Sequence, residues 1–254
     1  MTRRQSQRAG ARARAAALLG AGLIAVGALA YVAERKSDAP APAQGAPAQE
    51  ASAKPVLMLL TTLPLVFGEE FGLEGGGSPA LKALETRYDV TPVGVADSSA
   101  LGDGKLLLMA HPQAQPAEAL VELDQWVRRG GRVLLLADPA LDWYSERPLG
   151  DPFRPPPGFA DTGLLRHWGL RLDAPDERGP RQLQLGGHPI LTASPGSLAG
   201  KCPISKDRLV AHCQIGKGEA TVVADADFLN VEDLDGPTDK NLEAMLAELA
   251  ALER

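Results

Sequence analysis

The chain has 254 residues, 44% of them hydrophobic and only 4% aromatic, so it is long enough for a folded domain whose core must be built from Leu, Val and Ala. Its net charge of −6 is unevenly distributed: residues 1–55 hold eight basic and three acidic groups, the remaining 199 hold 18 and 29. An acidic main body repels phosphate backbones, which argues against a nucleic-acid partner.

The first element is apolar. Ala15 to Ala33 is a run of 19 residues without a charge. As a helix it reaches about 28 Å, close to a hydrocarbon core of about 30 Å. Arg3, Arg4, Arg8, Arg12 and Arg14 precede it. That excess predicts a cytoplasmic segment over residues 1–14, a single pass through a bacterial inner membrane over 15–33, and a periplasmic remainder. The lipid bilayer is then the first expected partner. Ala28-Leu29-Ala30 also fits a small-x-small cleavage site, so a cleaved signal peptide is the alternative, and it too exports the chain. Residues 34–55 are rich in Pro and Ala, cannot bury a core and read as an extended tether.

The domain is expected over residues 56–254. Val56 to Leu60, Lys105 to Ala110 and Arg132 to Ala137 are uninterrupted apolar runs, which predict strands buried on both faces. Between the first two lies a helix over Ser78 to Tyr88, with Ser78 as its cap and Pro79 at its first position. Between the second and third lies an amphipathic helix, Pro116 to Arg129, which stops at Gly130-Gly131. Strand, helix, strand with such runs implies a mostly parallel sheet sandwiched by helices, an α/β fold. Residues 142–157 read as a long loop and Thr162 to Trp168 as a short helix. Leu209 to Ile215 and Ala220 to Ala224 flank Gly216-Lys217-Gly218 as a hairpin. Asp239 to Leu252 is the last helix, with Leu242, Met245, Leu246 and Leu249 on one face.

Few residues carry an obvious chemistry. Neither Gly-x-Cys-x-Gly nor Gly-x-Ser-x-Gly occurs, so no nucleophile elbow is encoded. His111 follows the second buried strand and lies near a vestigial site with no adjacent nucleophile, or is a plain loop histidine. The four histidines show no zinc-ligand spacing, and no cofactor is expected. Asp138 ends the third buried strand, and Asp225 and Asp227 end the last one. Carboxylates at such edges either hold a divalent cation or bond to backbone N–H groups. Gly75-Gly76-Gly77-Ser78 could cradle an anion or simply lead into a helix cap. Trp143, Tyr144, Phe153 and Phe159 fall within 17 residues, as a partner surface or as a loop packed on its own sheet. Cys202 and Cys213 are the only cysteines, and export favours a disulfide between them.

Three segments share a resemblance: residues 105–112 with the following helix 116–129, the run Gly130 to Pro139, and Gly216 to Asn230. Together they resemble the exported domain of GldG-like proteins, auxiliary components of uncharacterised ABC-type transport systems. The resemblance implies a class I glutamine amidotransferase-like fold without the catalytic cysteine. It also implies a non-catalytic accessory role and a membrane or envelope protein partner. The alternatives are an envelope hydrolase with a non-standard site and a solute-binding module.

Overall fold

The computed structural model describes residues 54–67 and 77–254. The expected membrane segment at 15–33, the tether up to residue 53 and Gly75-Gly76 lie outside the described residues. Among the described residues, no helix is long and apolar enough to cross a membrane.

The elements run β1 (Val56–Thr61), α1 (Pro79–Arg87), β2 (Asp89–Pro92), α2 (Ser98–Leu101), β3 (Leu106–Ala110), α3 (Ala117–Arg128), β4 (Arg132–Leu136) and α4 (Leu164–His167). Then come β5 (Leu170–Asp173), β6 (Pro180–Leu185), β7 (His188–Ala193), β8 (Ser197–Gly200), β9 (Val210–Ile215), β10 (Gly218–Val223), a 3-10 turn (Asp227–Leu229) and α5 (Asn241–Leu252). Six strands form the central sheet in the order β2-β1-β3-β4-β10-β9. Every pairing is parallel except β9 with β10, the predicted hairpin. The mostly parallel α/β sandwich read from the sequence is therefore present.

The central strands are buried on both faces because each feeds two layers. Leu57, Leu59, Leu106, Leu108, Leu134 and Leu136 join one core with α1 and α5. Their neighbours Met58, Leu60, Leu107, Met109, Val133 and Leu135 join the other, with α2, α3 and α4. A period of two thus divides one apolar run between two cores. Fully burying each such leucine stabilises the fold by about 1.5–3 kcal/mol.

The helices follow their local signals. Ser78 Oγ accepts the Leu81 N–H at 3.1 Å and caps α1. In α3, Leu123, Trp126 and Val127 are buried, and Trp126 donates its indole N–H to the Gly104 carbonyl at 3.2 Å. The turn between β9 and β10 is two residues long, with Gly216 at φ 62° and Gly218 already inside β10. A side chain at Gly218 would collide with the Gly131 and Val127 carbonyls, so this hairpin seats directly on the end of α3.

Two small sheets extend the expected plan. β6 and β7 form an antiparallel hairpin, and β5 pairs with β8. Leu185 and Ile190 of the β6–β7 hairpin pack into the α1/α5 core. Asn241 locks α5 to the hairpin: it is fully buried, accepts the Leu191 N–H and donates to the Leu191 and Phe228 carbonyls at 2.7 Å each. Residues 142–157 form the predicted loop, without a helix or strand.

Candidate functional site

The carboxyl ends of β4 and β10 meet because the two strands are parallel neighbours in register, with Leu136 opposite Val223. Asp138 and Asp225 each lie two residues beyond that pair. Leu136 and Val223 both point into the α1/α5 core, so alternation directs both acids to the same side of the sheet. Asp227 arrives with the 3-10 turn that follows. All three side chains are buried, and one carboxylate oxygen from each lies within 4.8 Å of the others.

Backbone donors hold these carboxyls from outside. Asp138 accepts the Ala140 N–H at 2.8 Å and the Ala226 N–H at 3.0 Å. Asp227 accepts the Asp142 N–H at 2.9 and 3.1 Å. Asp225 accepts both of its bonds on Oδ2, from the Thr192 hydroxyl of β7 at 2.5 Å and from the Phe228 N–H at 3.4 Å. Its Oδ1 has no hydrogen-bond partner. Burial raises all three pKa values, with mutual repulsion adding to the shift at Asp225 and Asp227. Asp138 is pushed up to about 6 and Asp227 to about 8, and Asp225 lies well above the usual carboxylate range. Such a cluster can share protons or hold a hard cation. It cannot keep three bare charges.

His111 is buried at a positive φ of 47° directly after β3. Its Nε2 lies 2.8 Å from the Pro156 carbonyl. A carbonyl only accepts, so the proton sits on Nε2 and Nδ1 carries the lone pair. Nδ1 has no hydrogen-bond partner. Burial pushes this imidazole below its ordinary pKa and keeps it neutral. His111 is thus an enclosed group pinned by the 142–157 loop, not an exposed loop histidine. The other histidines lie apart, beside Asp124, Glu243 and Thr221.

The expected aromatic cluster disperses. Trp143 is half-buried and Tyr144 is 72% exposed, and both line an open groove of about 680 Å³. Phe153 instead borders a separate groove of about 310 Å³ with Phe67 and Arg147. Phe159 packs on the α3 core. The spacing that suggested one surface is undone because the loop's turns send successive rings to different faces.

The larger groove lies against the acid cluster. Asp142 lines it and donates its N–H to Asp227, and Leu191 and Ala193 on its wall flank Thr192. Three more of its lining groups, Asp233, Asp235 and Arg154, are charged. Thr192 and Asn241 are the polar residues that sequence reasoning missed. The signal for the hairpin that carries Thr192 was present: Leu183 and Leu185 alternate before Gly186-Gly187, and Ile190 and Leu191 follow.

Cys202 and Cys213 are joined by a disulfide, with Cα atoms 5.0 Å apart. It ties the segment after β8 to β9. Of the Gly75–Ser78 stretch, only Gly77 and Ser78 are described, and Ser78 serves the helix cap.

These features define a class: a mostly parallel α/β domain that carries enclosed acids, not a nucleophile elbow, at its strand ends. Residues 54–175 match the family described as ABC-type uncharacterized transport system. The match takes in Asp138 but ends before Thr192, Asp225 and Asp227. No curated protein matches the chain. Among solved structures, the mmIFT52 N-terminal domain is similar, at 13% identity and a TM-score of 0.51, with 78% of this chain and 97% of that one covered. This likeness is one of fold. An exo-beta-1,4-mannosidase from Opitutaceae bacterium strain TAV5 aligns at 15% identity and a TM-score of 0.47, over 79% of this chain and 36% of that one. A beta-galactosidase from Bacillus circulans sp. alkalophilus aligns at 15% and 0.43, over 79% and 31%. This chain therefore spans about a third of the length of either glycosidase.

Proposed function

We propose that this chain is a membrane-anchored, non-catalytic accessory protein of an ABC-type transport or envelope system. Residues 15–33 span the inner membrane, residues 1–14 stay cytoplasmic, and the domain from Val56 onward stands in the periplasm and binds a component of that system. The observation that carries this reading is the family match over residues 54–175. The basic segment ahead of an uncharged run of 19 residues supports the anchor and its orientation.

The domain is a relative of the class I glutamine amidotransferase fold that has given up its nucleophile. The chain leaves β3 through Ala110-His111-Pro112, where the imidazole is buried and bonded to a backbone carbonyl. The acids after β4 and β10 are likewise enclosed. The groove beside Tyr144 is the surface best suited to a partner, because an exposed aromatic ring on a polar wall offers apolar area without a cost in solubility.

Affinity purification of the full chain from mild detergent tests the reading. A permease or ATPase subunit should co-purify. Recovery of the chain alone across several detergents would overturn the accessory role. Turnover in an esterase, amidase and glycosidase screen, lost on His111→Ala, would replace it with an envelope hydrolase. Protease accessibility in spheroplasts checks the orientation: digestion of the domain from outside is expected, and protection would reverse it.

A further inference from the structure

We infer that Asp138, Asp225 and Asp227 bind one hard divalent cation of calcium size, which fastens the floor of the Tyr144 groove to the sheet. The inference concerns a site within the domain and stands apart from the accessory role.

The first support is geometric. Three carboxylate oxygens lie within 4.8 Å of one another. Oxygens held this close can ligate one ion at metal–oxygen distances of about 2.3–2.6 Å, the calcium range. The donors are all oxygen, which suits a hard cation and not a thiolate- or imidazole-seeking one.

The second support is an unfilled valence. Asp225 is fully enclosed, yet its Oδ1 has no hydrogen-bond partner. Its other oxygen is taken by the Thr192 hydroxyl. A buried carboxylate oxygen without a donor is costly, and a cation satisfies it directly. Backbone N–H groups already hold Asp138 and Asp227 in place. Their donors approach from the loops, so the carboxyls are oriented before any ion arrives, as outer partners of metal ligands are.

The third support is the approach. Asp142, Asp233 and Asp235 line the adjoining groove against Arg154, and Arg178 is the further cation whose charge reaches Asp227. Asp142 is joined to the cluster through its N–H to Asp227. Negative walls concentrate cations at the groove floor.

The alternative occupant is a set of protons, and the two differ in a direct measurement. The full chain in detergent is stripped with EDTA and desalted. Calcium chloride and magnesium chloride are then titrated by calorimetry, and terbium(III) luminescence sensitised by tryptophan is followed in parallel. About one calcium ion per chain should bind, with a melting temperature raised by several degrees and a weaker response to magnesium. Asp225→Asn should weaken binding about tenfold or more. Asp227→Asn provides the same readout should the first variant fold poorly. No heat, no luminescence and no melting shift at millimolar calcium in the wild-type chain would overturn the inference and leave protons as the occupants. Undiminished binding in both variants would overturn it as well, by placing the ion elsewhere.

Discussion

Asp138 and Asp225 stand side by side, each two residues beyond the Leu136–Val223 register pair of adjacent parallel strands. Both are buried, and the Ala226 N–H following one is bonded to the carboxylate of the other. The relationship makes the carboxyl edge of the sheet an acid-lined seam.

The seam should respond to pH in a defined direction. Burial and the Asp138 charge raise Asp227 from 3.8 to about 8. A carboxyl raised on folding binds its proton more tightly in the folded state. Its contribution to stability is therefore complete below about pH 4 and is lost as pH rises through about 8. Cation-free wild type should lose stability across that window in urea titrations, and Asp227→Asn should flatten the profile. Equal slopes for the two proteins would refute the assignment.

Thr192→Val should destabilise the domain by about 1–3 kcal/mol. It keeps the shape of the side chain but removes the hydroxyl donor to the buried Asp225 carboxyl. Chemical denaturation reads the loss, and Thr192→Ser should recover most of it.

Asn241→Leu should cost about 3 kcal/mol. The change leaves the Leu191 N–H and the Leu191 and Phe228 carbonyls without their buried partner. Protection of the β6–β7 amides in hydrogen exchange should fall more than that of β3, because Asn241 ties the hairpin to α5.

Reduction of Cys202–Cys213 should lower stability by about 2–3 kcal/mol, the chain-entropy figure for closing so short a loop. Denaturation with and without reductant provides the comparison. An unchanged midpoint would mean that the loop is held as well by its other contacts.

Tyr144→Ala should reduce co-purification of the partner while leaving the melting temperature within about a degree, since the ring is 72% exposed and contributes little to the core. Leu149→Ala, at a still more exposed position outside the groove, is the control.

Much of the fold was legible in the residues. The apolar runs that became β1, β3 and β4 are long enough and uniform enough to demand burial on two faces. The Ser78 cap and the glycines after Arg129 marked helix ends for local steric reasons. The short strands were not legible. β2 reads Asp-Val-Thr-Pro, an edge strand too polar and too brief to show a period, and β6 exposes most of its side chains. Without the β6–β7 hairpin, Thr192 had no visible link to the strand ends. The aromatic loop misled in the opposite sense, since proximity in sequence says little about direction where every few residues turn.

From the sequence alone came the class of fold, the acidic body, the expected anchor, the pair of cysteines and the position of Asp138, Asp225 and Asp227 at strand ends. These are local properties of composition and period, and a chain cannot hide them. Tertiary structure alone decided that the three acids converge, that Thr192 reaches one of them, and that His111 is sealed beneath a loop. The reason is physical: parallel pairing brings strand ends together across long stretches of chain, and burial depends on what the rest of the molecule lays over them. A carboxylate's chemistry is then set by neighbours that its own segment does not name.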